Sequence, residues 1–227
     1  MVDFGVGSDV AVKLIETTAG VGLAFQETKL GKPYFVDFQS VSWRARFQKG
    51  LPRNHIFRRA LGAMGQPLKL VDATAGFGQD AVMAQTLGCD VTALERSPEV
   101  ARVLQDGLKR AAEDELLRSK LKHIRVVQAD ALEWLEKLAP ADAPDVIYID
   151  PMFDKPKKSA KSPKEMQLLQ ALLPPVVPGE EEKLLELAIQ VARQRAVVKR
   201  PLKTRAVLRA PTHSFKGQSV RYDVYMK

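Results

Sequence analysis

The chain has 227 residues, 45% of them hydrophobic, which is enough for one domain or for a domain with a small appendage. Its single cysteine excludes an intrachain disulfide. Because the chain also lacks a recognisable signal peptide or an apolar run near the roughly 18 residues that span a bilayer, we expect a cytoplasmic protein without a membrane anchor. The alternative is a secreted protein with few cysteines. Lysine and arginine outnumber aspartate and glutamate by 35 to 27, and the net charge of +8 favours a polyanionic partner.

Residues 1–63 are predicted to form a small, β-rich and basic appendage that faces the substrate. Alternating apolar residues and glycine turns indicate short strands near residues 10–14, 23–25 and 34–38. A basic loop or short helix is expected at residues 44–50. Asn54 is the expected N-cap of a further helix that ends near residue 63.

From residue 64 to residue 227, short apolar strands alternate with helices, which predicts a Rossmann-like α/β domain with a mostly parallel sheet. Strands are expected at residues 68–73, 91–94, 124–127, 146–149 and 196–198, and helices at residues 79–87, 98–114, 131–138, 165–173 and 180–194. A strand near residues 206–208 and a hairpin within residues 213–225 are expected to form an antiparallel edge.

The first strand-to-helix turn of this domain, Thr74 to Gly78, is a candidate cofactor site. Such turns lie beyond the carboxyl ends of the strands, where Gly76 and Gly78 let the backbone approach a ligand. Glu95 follows Asp72 by 23 positions, at the end of the second strand, and can accept hydrogen bonds from both hydroxyls of a ribose. The pattern suits NAD and S-adenosylmethionine (SAM) equally, and the alternative is a tight turn with a surface glutamate. A phosphate-binding P-loop is disfavoured because no Gly-Lys-Ser/Thr ending is present.

Asp130 follows the third strand. Its carboxylate is placed to meet the amino group of an adenine, or to cap the next helix, and both roles can hold together.

The fourth strand ends in Asp150, Pro151, Met152 and Phe153, a sequence suited to holding a planar amine. The exocyclic amine of a purine is a poor nucleophile because its lone pair is delocalised into the ring. The Asp150 side chain and the Pro151 carbonyl can accept its two hydrogens and stabilise the charge that develops during methyl transfer, while Phe153 stacks on the base. This motif favours SAM over NAD and requires no metal. The alternative is a simple Asp-Pro turn.

Basic residues are clustered along the chain. No acid lies between Asp37 and Asp72 or between Glu186 and Asp223, and five lysines lie between Asp154 and Glu165. Clustered cations favour a nucleic acid, because each neutralised phosphate releases counterions. The alternative is a solvated basic surface that aids solubility.

The run from Asp72 to Asp80, together with residues 94–96, 148–153, 157–160, 164–166 and 197–201, resembles the bacterial ribosomal RNA small subunit methyltransferase J family. The resemblance extends from about Phe35 to the C-terminus, although the family has arginine where Gln79 stands. It implies a class I SAM-dependent methyltransferase fold. It also implies transfer of a methyl group from SAM to the N2 amine of one guanosine, position 1516, in 16S ribosomal RNA.

With this resemblance the candidate site residues fall into three groups. Asp150, Pro151 and Phe153 are the candidate catalytic residues. The candidate cofactor-binding residues are Asp72, Gly76, Gly78, Gln79, Asp80, Glu95, Arg96, Asp130, Ala131 and Asp150. The residues hypothesised to hold the RNA are Arg44, Arg46, Lys49, Arg53, Lys157, Lys158, Lys199 and Arg200. Rival interpretations are an N-methyltransferase for DNA or protein amides, a noncatalytic ribosome-assembly factor, and an NAD-linked oxidoreductase.

Overall fold

A seven-stranded, mostly parallel sheet forms the centre of the protein, seen in a computed structural model that describes residues 12–26, 32–151, 164–172 and 177–227. Its strands are β3 (Lys69–Asp72), β4 (Asp90–Glu95), β5 (Ile124–Gln128), β6 (Val146–Ile149), β7 (Arg195–Pro201), β8 (His213–Lys216) and β9 (Val220–Met226). The order is β5-β4-β3-β6-β7-β9-β8, with the first five strands parallel and β9 and β8 added antiparallel. The predicted fold class and the antiparallel edge are confirmed. A separate hairpin pairs β1 (Val12–Thr17) with β2 (Gly20–Phe25).

Eight helices accompany the strands in the described ranges. They are α1 (Val41–Lys49), α2 (Ile56–Leu61), α3 (Gln79–Thr86), α4 (Pro98–Ala111), α5 (Glu115–Leu121), α6 (Ala131–Glu136), α7 (Lys164–Leu172) and α8 (Glu180–Val191). Ser97 caps α4, with Pro98 at its first position, as the sequence predicted. None of the helices in the described part of the chain has the length and apolar character needed to cross a membrane.

Several local predictions are wrong. The strand expected at residues 34–38 is reduced to an isolated bridge between Tyr34 and Leu23. The helix expected at residues 180–194 ends at Val191. His55 rather than Asn54 caps α2, because its Nδ1 accepts the Phe57 N–H at 3.3 Å. The helix predicted for residues 98–114 ends at Ala111, because the Asp114 carboxylate accepts the Leu117 N–H at 3.1 Å and begins α5 instead. Residues 206–208 form no strand.

The absence of a strand at residues 206–208 has a physical reason in the buried guanidinium of Arg221. This group donates hydrogen bonds of 2.8–2.9 Å to the carbonyls of Pro201, Leu202 and Thr204. It is paired in turn with the buried Asp223 at 2.9 Å. The carbonyls just after β7 are therefore used by a side chain, and the chain turns away from the sheet.

The sheet is covered on both faces, and the alternation of its side chains separates two cores. Leu70 and Tyr148 face a core built with α1 to α5, whereas Val71 and Ile149 face a core built with α6 and α8. Phe38 and Trp43 from the N-terminal region lie in the first core. The division of the chain at residue 63 stays a prediction, but this packing places residues 34–47 directly beside the glycine turn.

Candidate active site

Charged residues converge at the carboxyl ends of four adjacent strands. Asp72 ends β3, Glu95 ends β4, Asp150 follows β6, and Lys199 lies in β7. The parallel register brings Asp72 opposite Tyr148 and Ile149 opposite Val198, so the residues after these positions share one edge of the sheet. This is the edge at which open α/β sheets bind their ligands.

The turn that enters α3 depends on two glycines with left-handed backbone angles. Gly76 has φ +52° and Gly78 has φ +76°, and Gly78 is the N-cap of α3. A Cβ atom at Gly78 would lie 2.4 Å from Cδ1 of Leu104, which is buried in the first core. The Asp72 carboxylate accepts the Thr74 N–H at 3.1 Å and fixes the beginning of the turn. The turn therefore presents bare backbone at the end of β3.

Glu95 links this turn to the next helix. Its Oε2 accepts the Gly76 N–H and its Oε1 accepts the Ser97 N–H, both at 2.8 Å. Burial raises the pKa of Glu95, while these N–H groups act in the opposite direction. A carboxylate has about four acceptor positions, so two backbone bonds leave capacity for the ribose hydroxyls that the sequence assigned to it.

Asp80, Lys199 and Asp150 form a bridged ionic cluster. The Lys199 Nζ lies 2.8 Å from Oδ2 of Asp80 and 2.8 Å from Oδ2 of Asp150. The Tyr148 hydroxyl donates to the same Asp80 oxygen at 2.7 Å, and the Asp150 N–H donates to Oγ1 of Thr74 at 2.7 Å. The last bond joins the segment that follows β6 directly to the glycine turn before α3.

The remaining candidate cofactor residues have clear local roles. Asp130 caps α6, with Oδ1 accepting the N–H groups of Leu132 at 2.9 Å and Glu133 at 3.2 Å, and Ala131 is the first residue of that helix. The capping alternative thus holds, and it is compatible with an adenine contact. Arg96 forms an ion pair of 3.1 Å with Glu180 of α8.

Gln79, the first residue of α3, is exposed. It lies in a cleft of about 330 Å³ that Trp43 and Arg46 of α1 also line. The cleft therefore joins the glycine turn to the N-terminal region.

The candidate RNA-binding residues separate into three groups. Arg44 is paired with Asp114 at 2.6 Å, Arg200 is buried and paired with Glu181, and Lys199 faces two carboxylates. Arg46, Lys49 and Arg53 are exposed, and the Arg46 guanidinium lies 4.9 Å from the ring centre of Trp43. Met152, Phe153, Lys157 and Lys158 lie outside the described residues. All these RNA roles stay predictions.

Sequence reasoning placed Thr74 in the candidate turn but did not predict its bond to Asp150. It also did not predict the contact of Tyr148 with Asp80 or the two carboxylate partners of Lys199. Tyr148 was counted only as an apolar strand residue, and Lys199 was interpreted from its charge. One sequence signal was available for Lys199: a cation directly after a buried parallel strand lies at the ligand edge of the sheet. Its pairing with Asp80 depends on the three-dimensional fold.

A family model described as "Putative SAM-dependent methyltransferase" matches residues 3–227. Curated relatives carry the name ribosomal RNA small subunit methyltransferase J. One from Thioalkalivibrio sulfidiphilus is 37% identical over 98% of this chain and 87% of its own length. Another, from Hydrogenovibrio crunogenus, is 41% identical over 85% of this chain and 70% of its own length.

Solved structures show the same architecture. A SAM-dependent methyltransferase of Neisseria gonorrhoeae superposes with a TM-score of 0.75 at 28% identity and covers 98% of this chain and 86% of its own. The rRNA methyltransferase AviRa of Streptomyces viridochromogenes superposes with a TM-score of 0.50 at 14% identity, over 88% and 92% of the two chains, a likeness of fold alone.

Proposed function

This chain belongs to the ribosomal RNA small subunit methyltransferase J family of SAM-dependent methyltransferases, and from that membership we propose that it methylates the exocyclic N2 of one guanosine in 16S ribosomal RNA, at position 1516. One observation supports this most strongly: the 2.7 Å bond from the Asp150 N–H to Thr74, which holds the amine-binding motif against the cofactor turn. The proposal includes action in the cytoplasm, where ribosomal subunits are made.

SAM occupies the edge formed by β3, β4 and the beginning of α3 in this proposal. The backbone at Gly76 to Gln79 approaches the cofactor, Glu95 accepts its ribose hydroxyls, and Asp130 with Ala131 lies against its adenine. Asp72, Asp80 and Asp150 surround the site with carboxylates, which suits a cationic sulfonium. The fit is supported by Glu95, whose oxygens are already oriented by two backbone N–H groups.

The acceptor amine lies between Asp150 and the methyl group. When bound, SAM would supply an electrophilic methyl group: N2 would bond to the methyl carbon as the carbon–sulfur bond breaks, with that electron pair going to sulfur to leave S-adenosylhomocysteine. The positive charge that develops on N2 is stabilised by the Asp150 carboxylate and the Pro151 carbonyl. N2 then loses one proton to Asp150, which releases it to water. In-line positioning supplies the remaining acceleration.

The target guanine reaches this edge only when it is unstacked from its neighbours, and Phe153 stacks on it there. Beyond the base, we assign the RNA backbone to Arg46, Lys49 and Arg53, together with Lys157 and Lys158. The first three support this assignment because they are exposed and α1 lies beside the cleft at Gln79. Arg44 and Arg200 are paired with Asp114 and Glu181 of the same chain, so we give them a smaller part.

Incubation with tritiated SAM and RNA, DNA or protein separates this function from its rivals. We expect label in small-subunit ribosomal RNA, with little in DNA or protein. Label in DNA or protein instead would point to a different N-methyltransferase, and no transfer with intact RNA binding would point to a noncatalytic assembly factor. Calorimetry with SAM and with NAD, where binding of SAM alone is expected, tests the oxidoreductase alternative.

A further inference from the structure

Lys199 is half-buried at the reacting edge, and its ammonium is committed to the protein. Its side chain is 24% exposed, and Nζ lies at hydrogen-bond distance from Asp80 and Asp150 at once. In the described part of the chain, no other cation forms an ion pair with the Asp150 side chain. An ammonium paired with two carboxylates has little charge left to attract a phosphate. Binding of the RNA backbone is therefore not the role that this geometry favours for Lys199.

Among the residues that the structure describes, the titratable groups around Asp150 other than Lys199 are acidic or phenolic. They come from each element packed against it and are Asp72 at the end of β3, Asp80 at the beginning of α3, Tyr148 in β6 and Tyr222 in β9, with Lys199 in β7 as the cation. An ionised carboxylate in such a place is destabilised by desolvation and by its like-charged neighbours. Lys199 opposes both effects.

We propose that Lys199 is a positioning residue for the methyl transfer: it holds Oδ2 of Asp150 and keeps that carboxylate ionised, so that Oδ1 can accept a hydrogen from the substrate amine. The inference rests on the proposed function, since Asp150 must be the amine acceptor. A protonated Asp150 would present a hydroxyl hydrogen to the amine and lose that role.

The direction of the pKa effects agrees with this geometry. The pKa of Asp150 is raised to about 6 as the net result of burial, which raises it, Lys199, which lowers it, and Asp80, which raises it. Burial alone would lower the pKa of Lys199, but Asp80 and Asp150 raise it above its ordinary value. Lys199 is therefore charged throughout the working range, whereas Asp150 loses its charge as the pH falls through about 6.

The test is the pH profile of kcat/KM for methyl transfer to ribosomal RNA. The wild-type rate should fall below pH about 6. In Lys199→Met this acidic limb should move to higher pH by about one unit, which lowers kcat/KM about fivefold at pH 6 and about tenfold well below it, and lets it recover toward pH 9. Lys199→Arg should restore the wild-type limb. A purely structural role would lower the rate by a similar factor at every pH, and that result would overturn the proposal.

Asp80→Asn provides a second variant, for which the acidic limb should shift in the opposite direction. Removing this carboxylate should move the acidic limb to lower pH, because Asp80 raises the pKa of Asp150. It keeps the proposal testable if Lys199→Met does not fold, and an unmoved limb would contradict it. Lys199→Met should also add no further loss in an Asp150→Asn background, whereas an additive loss would show that Lys199 acts elsewhere. If the wild type methylates no RNA, the proposed function itself fails.

Discussion

Asp150 is the residue on which the proposed chemistry depends, and it contacts both the glycine turn, through Thr74, and Lys199. Asp150→Ala should nearly abolish methyl transfer. The loss in kcat should be at least about 10²–10³-fold, the usual effect of removing one group that stabilises a developing charge. SAM binding should weaken as well.

Steady-state kinetics and calorimetry measure these two effects. Asp142→Ala is the matched control, since Asp142 is an exposed carboxylate in the short turn that precedes β6. Both variants should keep the wild-type circular dichroism spectrum. Wild-type activity in Asp150→Ala would exclude the mechanism.

Among single residues, the sequence predicted those that lie just after strands. It did not predict those whose surroundings depend on side-chain contacts with distant residues. Asp72, Glu95 and Asp150 were found because strand ends share one edge of a parallel sheet. The Tyr148 hydroxyl and the Lys199 ammonium meet on Asp80 only because β6, β7 and α3 pack together in three dimensions. No spacing along the chain predicts that contact.

The glycine turn and α3 form the element that we assign to cofactor binding. Gly78→Ala adds a Cβ atom 2.4 Å from the buried Leu104 and strains a residue with φ +76°. We expect it to lower the free energy of unfolding by about 2–5 kcal/mol, from backbone strain of about 1–2 and overpacking of about 1–3 kcal/mol. Chemical denaturation measures this change.

Gly88→Ala is the control for the backbone contribution. Gly88 has φ +90°, and a Cβ atom there would meet no atom within 4 Å. We expect a loss of only about 1–2 kcal/mol from this variant. Equal losses in the two variants would show that contact with Leu104 does not explain the glycine in the turn.

Helix α1 and the link that follows it form the element assigned to RNA. Neutralising Arg46, Lys49 and Arg53 to glutamine should weaken RNA binding at low salt. It should also reduce the slope of log K against log salt, by about 0.7–0.9 for each phosphate that the protein no longer neutralises. Filter binding over a range of salt concentrations measures both effects.

The matched control neutralises three exposed cations around α5 and β5, on the side where β5 begins: Lys120, Lys122 and Arg125. These residues lie away from the carboxyl edge of the sheet, so the slope should stay near the wild-type value. An equal reduction in both triple variants would mean that overall charge, and not this surface, attracts the RNA.

Elements with their own capping or alternation signals were predicted well, and those fixed by distant contacts were not. Ser97 and Pro98 predicted the beginning of α4, and the sequence also predicted the hairpin of β8 and β9. The strand expected near residue 206 failed because Arg221, a residue of β9, takes the carbonyls that precede it. That competition involves residues about twenty positions apart and leaves no local pattern.

As a whole molecule, the protein should be stabilised by its cofactor, because SAM binds across the ends of strands that belong to different parts of the chain. At 100 times its Kd, SAM should add about 2.7 kcal/mol to the free energy of unfolding. For a chain of this size that raises the Tm by about 5–10 °C. Thermal scanning should show this shift with SAM and none with NAD. A comparable shift with NAD would contradict the assignment of the cofactor.

Nucleoside mass analysis of 16S ribosomal RNA from cells that lack the gene tests the central claim most directly. The account predicts that N2-methylguanosine disappears from one position, that the wild-type gene restores it, and that the Asp150→Ala gene does not. An unchanged methylation pattern in the deleted cells, or restoration by Asp150→Ala, would contradict it.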